Sequence, residues 1–508
     1  MLEGKAMVDN IKVVVEEDVD PFERYSNPNL IKDGRVASVY TVIHTPTGKK
    51  RAMKVFNLQK MSKEDFTQDD LANQIQILKV LSHPNIIQLY EVFTYRKKVY
   101  MIYEYCAGGN LLDLLEKDAT LSEQNCRNIM FQILSAVNYC HSKGIAHHDL
   151  CPEHILFENT RFLGPKDKEG PNACPVKIIN FGSYRLFSTT ASINSPKKRR
   201  KTISTGYKPI SNPYFASPES KLSNDLSSLT EKCDIWSCGV LMYLLLSGEL
   251  PFKEDYTTVS PSTLNISPAS TLKLKFHPVE IWDNISTESK DLVKSLLMIN
   301  PQKRPTAGDA LKSPFFTQSG PFITKAVNKK QFTTIVTNMR RYNYKYKLHD
   351  AITSYMVHHL MKKEDIATMR KYFSVFDKNH DGRISRKELE ASMEQIMTPI
   401  QASIECNKIL KSLNKEKDDE IEYEEFIKSA VDMDKIVTEK NVKLIFDLID
   451  KDKSGSVSKF ELKNFFLGAL STDSLMADDK EFSDLIKEID FNGDGEINYA
   501  EFKKMMLK

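Results

Sequence analysis

A chain of 508 residues exceeds one ordinary domain and predicts two to four. Its 41% hydrophobic and 27% charged residues exclude a disordered or membrane-embedded chain, and a net charge of +3 gives bulk nucleic-acid binding no support. The 8 cysteines form no CxxC pair and no regular framework, which argues against a disulfide scaffold and for a reducing, cytoplasmic setting.

Residues 1–24 read as an N-terminal extension. The apolar run in MLEGKAMVDNIKVVVEEDVD is far too short for a signal peptide or a membrane span, and Leu2 removes the N-myristoylation pattern. No membrane anchor is expected. Residues 25–100 alternate β-type runs (SVYTVIH, KRAMKVF, KVYMIYEY) around one helical stretch. From 120 to 316 the pattern turns helical, and SEQNCRNIMFQILSAVNYCHSKG sets Ile129, Ile133, Leu134 and Val137 on one face. Two stretches rich in turn and polar residues, 159–175 and 183–213, read as loops. Residues 330–362 are basic and amphipathic. Phe332, Ile335, Val336 and Met339 recur at helical spacing, and Leu348, Ile352 and Met356 do so again.

The remainder repeats itself. DKNHDGRISRKE, DKDKSGSVSKFE and DFNGDGEINYAE share one 12-residue layout, and a weaker relative, NKEKDDEIEYEE, lies between the first two. Each strong repeat has oxygen donors at positions 1, 3, 5 and 12 and glycine at 6. Calcium is a hard cation that takes six to eight oxygens; the closing glutamate supplies two, and the glycine permits the sharp turn. The first loop offers Asp377, Asn379, Asp381, the Arg383 carbonyl and Glu388. The third offers Asp450, Asp452, Ser454, the Ser456 carbonyl and Glu461, and the fourth Asp490, Asn492, Asp494, the Glu496 carbonyl and Glu501. Ile384, Val457 and Ile497 at position 8 suit the short β-bridge that pairs such loops. The second loop has Asn414, Glu416, Asp418 and Glu425, but Asp419 replaces the glycine. It is expected to act as structural partner to the first, leaving three calcium sites and a fourth without the full ligand pattern.

Ahead of these loops stand AMK at 52–54, HHDL at 147–150, SPE at 217–219, CDIWSCG at 233–239 and NPQKRP at 300–305. With the loops they resemble the calcium-dependent protein kinases of plants and protists, in which a serine/threonine kinase domain, a junction helix and four EF-hands share one chain. The resemblance covers nearly all of the sequence. It implies an α+β fold: a bilobal kinase fold at 25–316, a junction or autoinhibitory helix at 317–364, and an all-α calmodulin-like domain of two EF-hand pairs, 365–432 and 433–508. It also implies that Lys54 grips the ATP α/β-phosphates and that Asp149 accepts the substrate hydroxyl proton. By the same likeness Ile31, Gly34, Val39, Ala52, Lys54, Glu104 and Cys106 line the nucleotide cleft, Asp234 braces the catalytic loop, and Arg304 partners Glu219. The junction helix blocks the cleft in the family and is engaged by the calcium-loaded lobes, so it is expected as an intramolecular partner. The protein partners and substrates themselves are not legible.

The chemical parts depart from the family. The magnesium ligands, the Asp of DFG and the catalytic-loop Asn, read Asn180 and His154 here. A neutral amide cannot balance a divalent cation, and magnesium prefers carboxylate and water to imidazole. Cys151 replaces a lysine near the γ-phosphate, Gln74 the glutamate that pairs with Lys54, and Lys32 and Ala37 two phosphate-loop glycines. His148 replaces the arginine that binds an activation-loop phosphate, and Asn110 a glutamate that favours basic substrates. The sequence therefore predicts a calcium-binding regulatory or scaffolding protein with a retired catalytic centre, in which ATP is retained at most without magnesium. The alternative is an active calcium-regulated kinase. PKKRRK at 196–201 resembles a nuclear import signal but reads first as a solvated loop, and Thr202 after it is a target for a basophilic kinase. His358 and His359 are neighbours on opposite faces of a helix and are not expected to share a metal.

Overall fold

The computed structural model describes residues 14–34, 36–61, 67–117, 120–160, 175–181, 185–186, 212–222, 229–252, 274–317, 328–342, 346–416, 419–466 and 478–507. The two expected loops, with PKKRRK and Thr202, lie almost entirely outside these residues.

The β-type runs form a six-stranded sheet in the order β1-β5-β6-β4-β3-β2. Its strands are β1 (Val14–Glu17), β2 (Tyr25–Asp33), β3 (Ala37–His44), β4 (Lys49–Asn57), β5 (Leu89–Tyr95) and β6 (Lys98–Glu104). β1 pairs parallel to β5, Val14 opposite Glu91. It was not expected from the sequence: the valines that are too few for a membrane span are the β-branched residues an edge strand favours. The helical stretch among the strands, α1 (Gln68–Val80), starts at a capping box between Thr67 and Asp70.

The following lobe is built on α2 (Glu123–Ser142), α3 (Lys232–Ser247) and α4 (Thr287–Leu296). Ile129, Ile133, Leu134 and Val137 are all buried, as their spacing on α2 requires. The short pairs 145–146 with 185–186 and 155–157 with 176–178 hold the catalytic loop between them.

Residues 329–506 form a separate apolar core. The stretch expected as one junction helix is two, α5 (Lys329–Arg341) and α6 (Lys347–Leu360). The hand helices follow: α7 (Lys363–Phe376), α8 (Arg386–Met393), α9 (Pro399–Ser412), α10 (Tyr423–Ala430), α11 (Glu439–Ile449), α12 (Lys459–Phe466), α13 (Asp478–Lys487) and α14 (Tyr499–Met506). Phe332, Ile335, Val336 and Met339 of α5 and Leu348, Ile352 and Met356 of α6 are buried in the core of the hands. α5 packs on α9 and α10, with Asn338 donating to the Ala430 carbonyl at 2.9 Å. The apolar faces of the junction are thus taken up by the hands, not turned to the cleft as the resemblance implies for the inhibited arrangement.

The hands also grip the kinase-shaped body. Tyr355 on α6 donates to the buried Glu91 carboxylate at 3.3 Å, Lys49 donates to the Met361 carbonyl at 2.5 Å, and Arg370 on α7 pairs with Glu158 at 2.7 Å. Across the other lobe, Lys143 at the end of α2 pairs with Glu422 at 2.6 Å.

Candidate functional site

In the calcium loops the chain reach is set locally, so the donors fall where their spacing predicts. Gly382, Gly455 and Gly495 adopt φ of +81°, +89° and +86°, the left-handed turn that only glycine makes without a Cβ clash. In the fourth loop Asp490 accepts from the backbone N–H groups of Gly493, Asp494 and Gly495, which orients both its oxygens. Asp452 accepts from Ser454 N–H, Asn492 from Asp494 N–H, and Asp494 from Glu496 N–H. The closing Glu388, Glu461 and Glu501 each reach back across their loops to backbone N–H groups at positions 2 and 3. Oxygens of Asp450, Asp452 and Glu461 come within 4.8 Å of one another, a cradle whose repulsion a cation relieves. The donor sets fit calcium. Ile384 pairs with Ile421 and Val457 with Ile497 in the expected bridges.

The second loop departs from this geometry. Asp419 does not turn left-handed; its carboxylate accepts from Glu416 N–H at 2.8 Å, and Asn414 takes the positive φ of +54° instead. Asp419 thereby avoids the roughly 1–2 kcal/mol left-handed penalty. The closing Glu425 pairs with Lys415 at 2.8 Å.

The first loop differs from the third and fourth in its surroundings. It is pressed against α2: the His380 carbonyl accepts from Ser135 Oγ at 3.2 Å, and its ring meets the Phe131 edge at 4.4 Å. A Cβ on Gly382 would lie 2.7 Å from Tyr139 and 2.8 Å from His83. Burial, together with the Asp381 and Glu388 carboxylates, pushes the Asp377 carboxyl well above its ordinary range. Asp452 and Asp490, open to solvent, are held below it by hydrogen bonds from Ser454 and Gly495. Protons are therefore expected to compete with calcium at Asp377 of the first loop. Calorimetry in buffers of different ionisation heat checks this; one binding step should vary with buffer, and the same step should lose its dependence in Asp377→Asn.

In the kinase-shaped cleft some parts hold their expected places. Asp234 accepts from the N–H groups of His147 at 2.8 Å and His148 at 2.7 Å, fixing the catalytic loop. Arg304 makes a two-pronged contact with Glu219, at 2.6 and 2.8 Å. Lys54 stands opposite Val39 on β3, with Ala52 two residues along on the same face. Gly34 closes the β2–β3 turn, where a Cβ would lie 2.7 Å from the Ala37 carbonyl oxygen. Ile31 on β2 is exposed. Glu104 gives its carboxylate to Lys177 at 2.8 Å, and its backbone N–H donates to the Gln88 carbonyl at 3.0 Å.

Others do not. Gln74 is buried on α1, and burial with no compensating carboxylate among the described residues lowers the Lys54 ammonium to about 8. Asn110 caps the 111–115 helix by accepting from Asp113 N–H, which gives its side chain a structural role. The two would-be magnesium positions meet: Asn180 Nδ2 lies 2.9 Å from His154 Nε2 and 3.4 Å from Asp149 Oδ2. His154 Nδ1 in turn lies 2.7 Å from the Asp149 carbonyl oxygen and 3.2 Å from Cys151 Sγ. Asn180 is left-handed at φ +69°, a conformation asparagine tolerates well. These residues do not fit magnesium: of the family's two ligand positions, neither supplies a carboxylate.

Glu91, Glu158 and Arg370, which join hands to body, were missed in the sequence. Their only local signal is charge at core-facing helix and strand positions, and that has meaning only once the facing surface is known.

Residues 25–316 match the protein kinase domain family, and 366–431 and 439–507 each match the EF-hand domain pair. The chain is 30% identical over 499 residues to calcium-dependent protein kinase 4 of Plasmodium berghei, covering 96% of this chain and 87% of that protein. It is 30% identical to calcium-dependent protein kinase 5 of Plasmodium falciparum, with coverage of 96% and 78%, and 29% identical to calcium-dependent protein kinase 15 of Oryza sativa, with coverage of 93% and 79%. Among the described residues no helix is long and apolar enough to cross a membrane.

Proposed function

Since the chain belongs to the calcium-dependent protein kinase family, we propose that it works as a calcium-binding regulatory protein whose kinase-shaped body no longer transfers phosphate at a useful rate. The observation that carries this reading is the contact between Asn180 and His154 at 2.9 Å, where an amide and an imidazole meet in the place of two metal ligands. Phosphoryl transfer depends on positioned charge to neutralise the transferred oxygens. Losing one such contact commonly costs about 10²–10³ in rate, and Cys151, Gln74 and the altered phosphate loop remove more.

Calcium at the first, third and fourth loops is the signal. The first loop touches Ser135, Tyr139 and His83 of the body through its own turn. Its ion-dependent shape therefore acts directly on the surface the body presents to a protein partner. The junction helices, held by the hands, move with them.

A second reading keeps the enzyme. Asp149, its brace Asp234 and the Arg304–Glu219 anchor are in place, as active transfer requires. An assay with radiolabelled ATP, calcium and either magnesium or manganese separates the two. The expected result is incorporation equal to that of Asp149→Asn; turnover abolished by that substitution establishes the kinase instead.

A further inference from the structure

The replacements in the catalytic loop share a chemistry. Asp149, Cys151 and His154 each point a ligand atom into one spot, all within 4.8 Å of one another. His154 Nδ1 lies 3.2 Å from Cys151 Sγ and 3.5 Å from Asp149 Oδ2. Around a four-coordinate zinc, with bonds of about 2.3 Å to sulfur and about 2.0–2.1 Å to nitrogen and oxygen, tetrahedral angles separate such atoms by roughly 3.4–3.6 Å. The two His154 spacings need only a few tenths of an ångström of adjustment.

We infer that the degenerate catalytic loop is a zinc site, with Asp149, Cys151 and His154 as ligands and a fourth position open to water. The inference rests on the reading of the cleft as retired, since an ion there ties up the Asp149 carboxylate.

The donor set selects the metal. Thiolate and imidazole suit zinc and disfavour magnesium and calcium, so the two substitutions that spoil one site build the other. The family's lysine at position 151 would put a cation where the ion sits; cysteine removes that charge and adds a ligand. Asp149 and Cys151 are buried, while His154 is partly open and offers an entry path.

A supporting partner is also in place. A metal-bound imidazole is held by a hydrogen bond at its other nitrogen, and Asn180 sits 2.9 Å from His154 Nε2. On binding, the Cys151 thiol proton leaves to solvent, and the His154 proton moves from Nδ1 to Nε2. The Asn180 amide then turns over, exchanging its oxygen and nitrogen, so that its oxygen accepts from Nε2–H while its 3.4 Å contact with Asp149 Oδ2 is given up to the ion. The same asparagine that cannot hold magnesium thus orients the zinc ligand.

The test uses the full chain, stripped with chelator, saturated with calcium so that the EF-hands are filled, and titrated with Co²⁺ as a spectroscopic substitute. One equivalent should raise a cobalt–thiolate charge-transfer absorption, and Zn²⁺ should then bleach it. Cys151→Ser should abolish the absorption. His154→Asn, which restores the family residue, should weaken Co²⁺ binding at least tenfold, and Cys106→Ser should leave it intact. An unchanged unfolding midpoint of the kinase-shaped lobe shows that each variant is folded. A wild-type chain without the band, or a band that survives Cys151→Ser, overturns the site. No phosphate transfer enters this readout, so its failure is separate from the outcome of the ATP assay.

Discussion

Replacing Arg304 with alanine is expected to destabilise the kinase-shaped body by about 3–5 kcal/mol, the cost of leaving one partner of a buried ion pair alone. The Arg304 side chain is fully buried, and Glu219 is about three-quarters buried. Its guanidinium donates to both Glu219 oxygens and to the carbonyls of Met298, Ile299 and Lys232. Burial alone would raise the Glu219 carboxyl, and the guanidinium instead holds it below its ordinary range. Alanine removes every donor at once and opens a cavity beside Trp236, whose ring lies 5.0 Å from the guanidinium carbon. The unfolding midpoint of that lobe should fall by on the order of 10 °C, with the calcium-induced change of the hands preserved. Arg304→Lys keeps the charge but not the fork and should fall between the two. A midpoint within a degree of wild type would mean that the lobe does not depend on this anchor.

Reversing the charge at Arg370 is expected to release the hands from the body. Arg370 extends from α7 to Glu158 at 2.7 Å, and both side chains are mostly buried. Glu104, already paired with Lys177 at 2.8 Å, lies in the same electrostatic cluster. In Arg370→Glu a third carboxylate enters this buried group with Lys177 left to balance it. The penalty of about 3–5 kcal/mol for a broken buried pair corresponds to a shift of the docking equilibrium by a few hundredfold or more. Small-angle scattering should report a larger radius of gyration, and protease should cut faster within 317–364. Calcium stoichiometry should stay the same, because Arg370 lies outside the loops. Combining the variant with Glu158→Arg restores the opposite charges and should recover part of the compact form. If the single variant keeps the wild-type radius, the grip described between α7 and the body is not the one that holds the domains together.

The first two loops meet the body at one helix. Lys143, just past the end of α2, reaches Glu422 in the second loop, and the first loop rests on the same helix. The paired bridge of Ile384 with Ile421 ties those two loops into one unit. The first loop thus touches both its partner loop and α2 without an intervening element.

The chain itself determined whatever depends on short reach. A 12-residue loop is shaped by local turns, so the turning glycines of the first, third and fourth loops and the Ile384 and Val457 bridges were legible from spacing alone. The buried face of α2 followed from period 3.6 in the same way. The substitutions at 151, 154 and 180 were legible as losses. Only the tertiary structure decided what they make together, because Asn180 and His154 are 26 residues apart and meet through the packing of two short strand pairs. It also decided that residues 14–17 close the sheet, that the junction is two helices held by the hands, and that Glu422 meets Lys143 from 279 residues away. Such contacts carry no sequence period; they exist only when two finished surfaces meet, and a charged residue reads alike whether it faces water or a partner.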